Sequence, residues 1–363
     1  MRPRARNVHA VILAGGAGER FWPASRAAAP KPLLRVVGGA SLLAATVARA
    51  RAVAGRDRVW LVCGAEHADA MRREARLPPA RVVVEPARRN TAMASAVAAL
   101  VVAARDPEAV LLVLPADHQI GDPAGFRAAA GRALRAASAT GALVTLGVRP
   151  TRPDTGYGYI DLGTAVGKAH PGLHRVRRFV EKPDAARARR YLRSGRFLWN
   201  AGIFAWTARA LLEEVAAHAP ELDAALAPLR RDGAARGPSP GALGRAYRTA
   251  PSLPVDVAIL ERSRRVWCLP VDFPWSDVGT WQSLAETLGV NPARSAVVEG
   301  EAVLCDAPGN LVWAHGRPIA LLGVEGLAVI DAGDAVLVAR LDRSGEVRRV
   351  VGELRARRRH ELV

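Results

Sequence analysis

Lysine is almost missing from this chain. Of its 52 basic residues only Lys31, Lys168 and Lys182 are lysine, and the rest are arginine. Each lysine therefore points to a place where a compact, flexible ammonium is needed instead of a planar fork. Cysteine is as scarce: Cys63, Cys268 and Cys305 lie far apart, with no C-x-x-C spacing. That excludes the usual zinc and dithiol patterns and leaves buried free thiols in a reducing compartment as the expectation. No run reaches the roughly 18 uncharged apolar residues of a membrane span. The opening MRPRARNVHAVILAGG is basic and then apolar, but its apolar part is only about six residues and leads into glycines, not a cleavage site. A cytoplasmic protein with no membrane partner is expected.

Acid is absent where base is plentiful. Residues 1–56 hold ten basic residues and Glu19 alone on the acidic side, half of the net charge of +18. Such a balance calls for an anionic partner or a merely basic surface. A nucleic-acid partner would bring aromatics interleaved with basic stretches or a recognition helix. Here the cations cluster around a glycine turn, so no nucleic acid is expected. The eight histidines form no triad-like arrangement with Ser or Cys.

What is present is a repeating pattern. At 363 residues the chain exceeds the roughly 250–300 residues at which single cores stop growing. From residue 8 to 147, short β-branched runs (VHAVILA, RVWLVC, RVVVE, AVLLVLP, ALVTLGV) alternate with helical stretches at 40–54, 65–76, 90–104 and 123–139. Continuous apolar strands between helices predict a doubly wound, mostly parallel α/β sheet covered on both faces. Ligands of such sheets bind at the carboxyl ends of the strands. Residues 150–290 read as mixed, with strands at 157–161, 173–181 and 199–206 and helices at 184–194, 207–217 and 278–288. RDGAARGPSPGA, 231–242, reads as a loop or helix-to-helix connection. After residue 296 short β runs broken by Gly, Asp and Pro predict a small all-β part to residue 352, followed by a frayed basic tail at 353–363. The expected domains are 1–290, with parts at 8–147 and 150–290, and 296–352.

LAGGAGERFWPASR, residues 13–26, follows the first strand. Gly15, Gly16 and Gly18 allow successive backbone N–H groups to turn toward an anion, and phosphate is the natural guest. No G-K-[ST] follows, and Phe21 breaks a G-x-G-x-x-G pattern. No acid stands between Glu19 and Asp57 to hold a ribose, which argues against a dehydrogenase. Arg20, Arg26, Lys31 and Arg35 follow instead, and several cations near one nest suit a polyphosphate. A turn needed only for strand-to-helix packing is the plainer alternative.

This elbow and PKPLL, 30–34, together resemble the signature of sugar-phosphate nucleotidyltransferases. The Phe-Trp-Pro-x-Ser-Arg continuation resembles their mannose-1-phosphate guanylyltransferase branch. In that family a segment similar to EPARRNTAMA, 85–94, lines the nucleotide pocket. The resemblance thus implies nucleotide contacts from Leu13, Ala14, Gly15, Gly16, Gly18, Glu19, Arg20, Glu85, Asn90, Thr91 and Asp117, although Asn90 and Thr91 are also good helix caps. LPADH, 114–118, and WSDVGTW, 275–281, imply a magnesium ion held by Asp117 and Asp277. A lone Asp after a strand is often a turn residue, and Asp277 is equally placed to cap helix 278–288. TGYGYI, FVEKPD and WNAGIF imply a sugar-phosphate site from Gly156, Tyr157, Gly158, Glu181, Lys182, Asn200 and Gly202, each of which also fits a structural role.

The likeness runs from residue 8 to about 350, and implies that the small β part is a left-handed β-helix. The implied reaction joins GTP to a hexose 1-phosphate, mannose 1-phosphate favoured, with Arg20, Lys31, Asp117, Lys182 and Asp277 as the catalytic set and a homodimer by analogy. One departure leaves other bases or hexoses open, such as a glucose-1-phosphate guanylyltransferase: Pro32 replaces a common Gln. In the segment 85–94, Met93 stands where Pro is usual. No cupin-like isomerase stretch is read up to residue 363, so a bifunctional enzyme is not expected. A non-catalytic sugar-nucleotide-binding paralogue is the remaining rival, though Asp117, Lys182 and Asp277 are all present.

Overall fold

The computed structural model describes residues 7–16, 18–26, 29–36, 38–232 and 237–363. It divides into two compact units. One holds the chain to Gly15, Thr46–Pro115 and Ile120–Trp275; the other holds Gly16–Ala45, Ala116–Gln119 and Ser276–Val363.

The first unit is built on one nine-stranded sheet. Its strands are β1 (Val8–Ala14), β2 (Val59–Gly64), β3 (Val82–Glu85), β4 (Val110–Pro115), β5 (Leu143–Val148), β6 (Tyr159–Ala165), β7 (His174–Val180), β8 (Phe197–Thr207) and β9 (Val266–Val271). They lie in the order β3-β2-β1-β4-β8-β5-β9-β7-β6. β3, β2, β1 and β4 pair in parallel, and the unbroken apolar runs of β1, β2 and β4 are buried on both faces. β8 then enters antiparallel between β4 and β5. β9 returns parallel to β5, and β7 and β6 close the edge antiparallel. The sequence parts read as 8–147 and 150–290 thus share one sheet. The sheet is parallel in its β3-β2-β1-β4 half and mixed beyond.

Helices α1 (Leu42–Ala54), α2 (Ala68–Ala75), α3 (Asn90–Ala103), α4 (Pro123–Thr140), α5 (Ala185–Ser194) and α6 (Ala208–His218) alternate with the strands. α3 is alanine-rich and buried along most of its length, which lets it lie close to the sheet. α4 starts where Asp122 accepts the Ala124 and Gly125 N–H groups, and stops at Gly141 with φ 67°, an acidic N-cap and a left-handed glycine stop. The expected loop at 231–242 lies between helices Ala227–Arg231 and Pro240–Thr249, and its residues 233–236 lie outside the described ones.

In the second unit, Ala296–Glu299, Leu311–Trp313 and Leu327–Asp331 stack in parallel, and Ala302–Cys305 pairs in parallel with Ile319–Leu322. Successive turns stacked in register make this part β-helix-like. Val336–Arg340 ends the stack antiparallel. The segment 353–363, expected to fray, does not. Helix Arg348–Ala356 buries Val351, Val363 packs against the unit's core, and the Leu362 carbonyl accepts from Trp22 Nε1 at 2.7 Å. Cys63 and Cys268 are buried free thiols as expected, whereas Cys305 is exposed. Among the described residues no helix is long and apolar enough to cross a membrane.

Candidate active site

Leu13 and Ala14 end β1, and the chain turns at Gly15 and Gly16, both exposed. A Cβ on Gly16 would meet open space, but Gly18 is different. Its φ is +65°, and a Cβ there would stand 2.4 Å from Ser25 Oγ and 2.7 Å from Lys31 Cβ. Only glycine fits, and the missing side chain lets Lys31 pass close to the turn. Ala17 lies outside the described residues, so the expected row of N–H groups is described at Gly15, Gly16 and Gly18 alone.

Lys31 opens a single helical turn, Lys31–Leu33, and is buried. Its ammonium donates to Asp117 Oδ2 at 2.7 Å and to the Asp277 carbonyl at 2.8 Å, and lies 5.6 Å from the Phe21 ring centroid. One cation thus joins the two aspartates nominated from distant motifs. Burial opposes ionisation of Asp117, but the charges of Lys31 and His118 and the Lys31 hydrogen bond hold its carboxyl below the usual range.

Asp277 is not a helix cap. The helix spans Trp281–Thr287, and Thr280 caps it in a reciprocal pair with Ser283. Asp277 Oδ1 instead accepts the Gly279 N–H at 3.0 Å. Between them Val278 is buried with φ 46°, a conformation costing a β-branched residue on the order of 1–3 kcal/mol. Strain of this kind needs a surrounding that holds it. Here Val278 sits in the core formed by Phe21, Trp22, Trp281 and Trp313.

The other elbow cations part company. Arg20 Nη1 donates to the Gly279 carbonyl at 3.4 Å. Arg26 and Arg35, expected to converge on the phosphate, do not. Arg26 forks onto both oxygens of Asp334 at 2.5 Å, and Arg35 donates to the Gly39 carbonyl. Each is drawn off by a partner the elbow sequence does not reveal. Glu19 is held by Arg355.

In the first unit, Glu85 ends β3 and is buried. Its Oε1 accepts from the Tyr247 hydroxyl at 2.9 Å, and Oε2 lies 3.7 Å from where a Gly15 Cβ would stand. Burial pushes the Glu85 carboxyl up, against the Tyr247 hydrogen bond. Asn90 has φ 63° and accepts the Thr91 N–H on its own side chain. Thr91 Oγ1 accepts the Val255 N–H at 2.9 Å. Arg89 holds the cap position with no side-chain cap bond, and it is Asn90 Oδ1 that takes up a first-turn N–H, that of Thr91.

A further cluster of this unit gathers the sugar-site candidates. At Gly158 a Cβ would stand 2.6 Å from Glu181 Oε2 and 3.1 Å from Phe179 Cε1, so the missing side chain lets both come close. Glu181 pairs with Lys182, whose φ is 45°. Asn200 Oδ1 accepts from Thr145 Oγ1 at 2.8 Å and from the Gly202 N–H at 3.1 Å, while its Nδ2 donates to Asp256 Oδ1 at 2.8 Å. Gly202 adopts φ 65°. Tyr157 packs against Trp199 and Trp275, with ring centroids at 4.9 and 5.5 Å, and Gly156 N–H donates to Asp154. Asp256 was missed in the sequence. Burial, then the charge of Glu181, lifts it to about 7. Its only signal is an acid inside the apolar run VDVAIL. Among the described residues no group of three or more His, Cys, Asp or Glu is gathered as a metal cage.

A nine-stranded sheet, parallel in its β3-β2-β1-β4 half and flanked by helices, defines an α/β protein. The nucleotidyl transferase family matches residues 9–289, and the MannoseP isomerase/GMP-like beta-helix domain matches residues 300–354. The chain belongs to the nucleotidyl transferase family, and is an enzyme of that class. It is 38% identical over 354 residues to the xanthan biosynthesis protein XanB of Xanthomonas campestris pv. campestris, covering 97% of this chain and 74% of that one. It is 35% identical to a mannose-1-phosphate guanylyltransferase of Escherichia coli K12, over 98% of this chain and 75% of the relative. A crystal structure described as mannose-1-phosphate geranyltransferase from Thermus thermophilus superposes with a TM-score of 0.87 at 38% identity, covering 96% of this chain and 99% of that one.

Proposed function

We propose that the chain condenses GTP with α-D-mannose 1-phosphate to give GDP-mannose and pyrophosphate. The observation that carries the reading is the Lys31 ammonium bonded to Asp117 Oδ2 and the Asp277 carbonyl, beside a turn that only Gly18 can make. In the reaction a phosphate oxygen of the sugar ester attacks the α-phosphorus in line, the bond from that phosphorus to the bridging oxygen breaks, and pyrophosphate departs. Little covalent chemistry falls to the protein, so positioning and charge stabilisation are the catalytic terms.

Members of the family generally use a divalent metal. Two carboxylates, with Asp117 kept ionised, are the hard oxygen donors magnesium takes while retaining water and substrate phosphate. Asp117 and Asp277 would hold it, and bound there it would neutralise charge on the reacting phosphates. Lys31 offsets charge on the α-phosphate, and Arg20 with the elbow amides receives the leaving pyrophosphate. Lys182 serves the sugar phosphate as a point charge. Glu181 accepts from sugar hydroxyls, and the second Nδ2 hydrogen of Asn200 donates to one. Glu85, Asn90 and Thr91 belong to the nucleotide side of the reading.

Pro32 supports one alternative, another base or hexose on the same machinery. The reading places the enzyme in the cytoplasm as a homodimer, which sedimentation tests. Asp117→Ala tests the chemistry: the expected outcome is near-complete loss of pyrophosphate release with circular dichroism unaltered, and an unchanged magnesium-dependent rate overturns the assignment.

A further inference from the structure

Glu19 is the lone acid of residues 1–56, and it stands inside the elbow, next to Arg20. An uncompensated carboxylate at that point repels a polyphosphate. The helix Arg348–Ala356 answers it: Arg355 Nη2 donates to Glu19 Oε1 at 2.6 Å, and Arg348 Nε lies 3.9 Å from Oε2. Two more ties join the same turn to the end of the chain. The buried Trp22 donates to the Leu362 carbonyl at 2.7 Å, and Arg26 forks onto Asp334. All of these groups belong to the second unit. The mechanical hold therefore has its own buried anchor in Trp22, whereas Arg355, 53% exposed, contributes little to stability, as exposed ion pairs do. What Arg355 changes is the field at the elbow.

We propose that Arg355 is a positioning residue for the phosphate elbow: by pairing with Glu19 it keeps the turn electropositive, and the C-terminal helix thereby sets affinity for the nucleoside triphosphate. The inference rests on the nucleotide reading above. It gives Glu19 a role opposite to that of a ligand, as the contact through which the C-terminal helix acts on the elbow.

The test is a charge cycle read by steady-state kinetics, with calorimetric binding of magnesium-free GTP as a second measurement. Arg355→Ala should raise the KM and Kd for GTP about five- to tenfold at low salt, the scale of one unit charge acting through a partly solvated medium. The KM for mannose 1-phosphate should stay within about twofold, and the defect should shrink in 0.5 M salt, roughly as screening requires. Adding Glu19→Gln to Arg355→Ala should return the GTP values close to those of the unmodified protein, because the repelling charge is gone. Arg355→Lys should fall between. A GTP affinity untouched by Arg355→Ala overturns the inference, and so does a defect that persists in the double variant, since a purely mechanical clamp is not repaired by removing Glu19's charge. If the unmodified enzyme releases no pyrophosphate, the reaction assignment fails, while GTP calorimetry still decides the role of Arg355.

Discussion

The Lys31 ammonium stands 2.7 Å from Asp117 Oδ2 across 86 residues of sequence. Lys31 is almost wholly buried and the Asp117 side chain is 29% exposed, so the pair is shielded without being sealed. Removing one partner leaves the other charge uncompensated, which is costly in a buried setting. Lys31→Met is expected to lower kcat/KM by about 10²- to 10³-fold, the usual loss for a group that stabilises developing charge, and to lower the melting temperature. A pyrophosphate-release assay beside a thermal melt checks both, and undiminished turnover contradicts the role.

Asp277 allows a cleaner separation of charge from shape. Its Oδ1 accepts the Gly279 N–H, and an asparagine keeps that acceptor while losing the charge. Asp277→Asn should melt like the unmodified protein, lose about a hundredfold in kcat, and need more magnesium for half-maximal rate. A magnesium titration of the rate gives the answer, and an unshifted midpoint goes against ligation.

Gly18→Ala forces a Cβ into Ser25 Oγ and Lys31 Cβ at a φ of +65°. The left-handed backbone alone costs about 1–2 kcal/mol for an alanine, and Lys31 has to move. Both a lowered melting temperature and a raised KM for GTP are expected. If the variant matches the parent in both, the close passage of Lys31 under the turn is not as described.

Asp256 predicts a pH effect. Its folded value of about 7 lies above the unfolded value of about 3.9. From about pH 4 to pH 7 the unfolded chain has released this proton while the folded chain keeps it, so stability falls as pH rises through that window and levels off above it. The full loss is bounded by roughly 4 kcal/mol, about three units at 1.36 kcal/mol each. Asp256→Asn keeps the acceptor for Asn200 and removes the titration. Urea unfolding at pH 4.5 and 7.5 should show the variant gaining on the parent at the higher pH; an equal gap at both contradicts the burial argument.

Lys182 is half exposed and paired with Glu181, so its loss should not unfold the chain. Lys182→Ala is expected to raise the KM for mannose 1-phosphate about tenfold or more, in keeping with the loss of a charge-assisted contact, and to leave the KM for GTP nearly unchanged. Equal effects on both substrates count against a sugar-phosphate role.

The parallel half of the sheet was legible because β1, β2 and β4 are unbroken apolar runs that only burial on both faces explains. The antiparallel entry of β8 was not. Phe197–Thr207 is as apolar as its neighbours, and pairing direction leaves no mark on composition. Lys31, Asp117 and Asp277 were nominated from motif types, but their meeting on one ammonium depends on a fold that no spacing encodes. Arg26 misled because its proximity in sequence to the glycines said nothing of Asp334, which captures it 308 residues away. Asp256 was illegible for the opposite reason: its importance comes from burial beside Glu181 and Asn200, and a single acid in an apolar stretch does not announce its neighbours. The last residues read as a loose tail because Arg355, Arg357, Arg358 and Arg359 make the stretch basic and solvated, while its anchors are the Leu362 carbonyl and Val363.

Guanylyl transfer to mannose 1-phosphate is decided by pyrophosphate release from the purified, magnesium-supplied chain, with each nucleoside triphosphate crossed against mannose-, glucose- and other hexose 1-phosphates. Release confined mainly to GTP with mannose 1-phosphate, abolished in Asp117→Ala, is the predicted result. No release with any pair, from a folded protein, contradicts it.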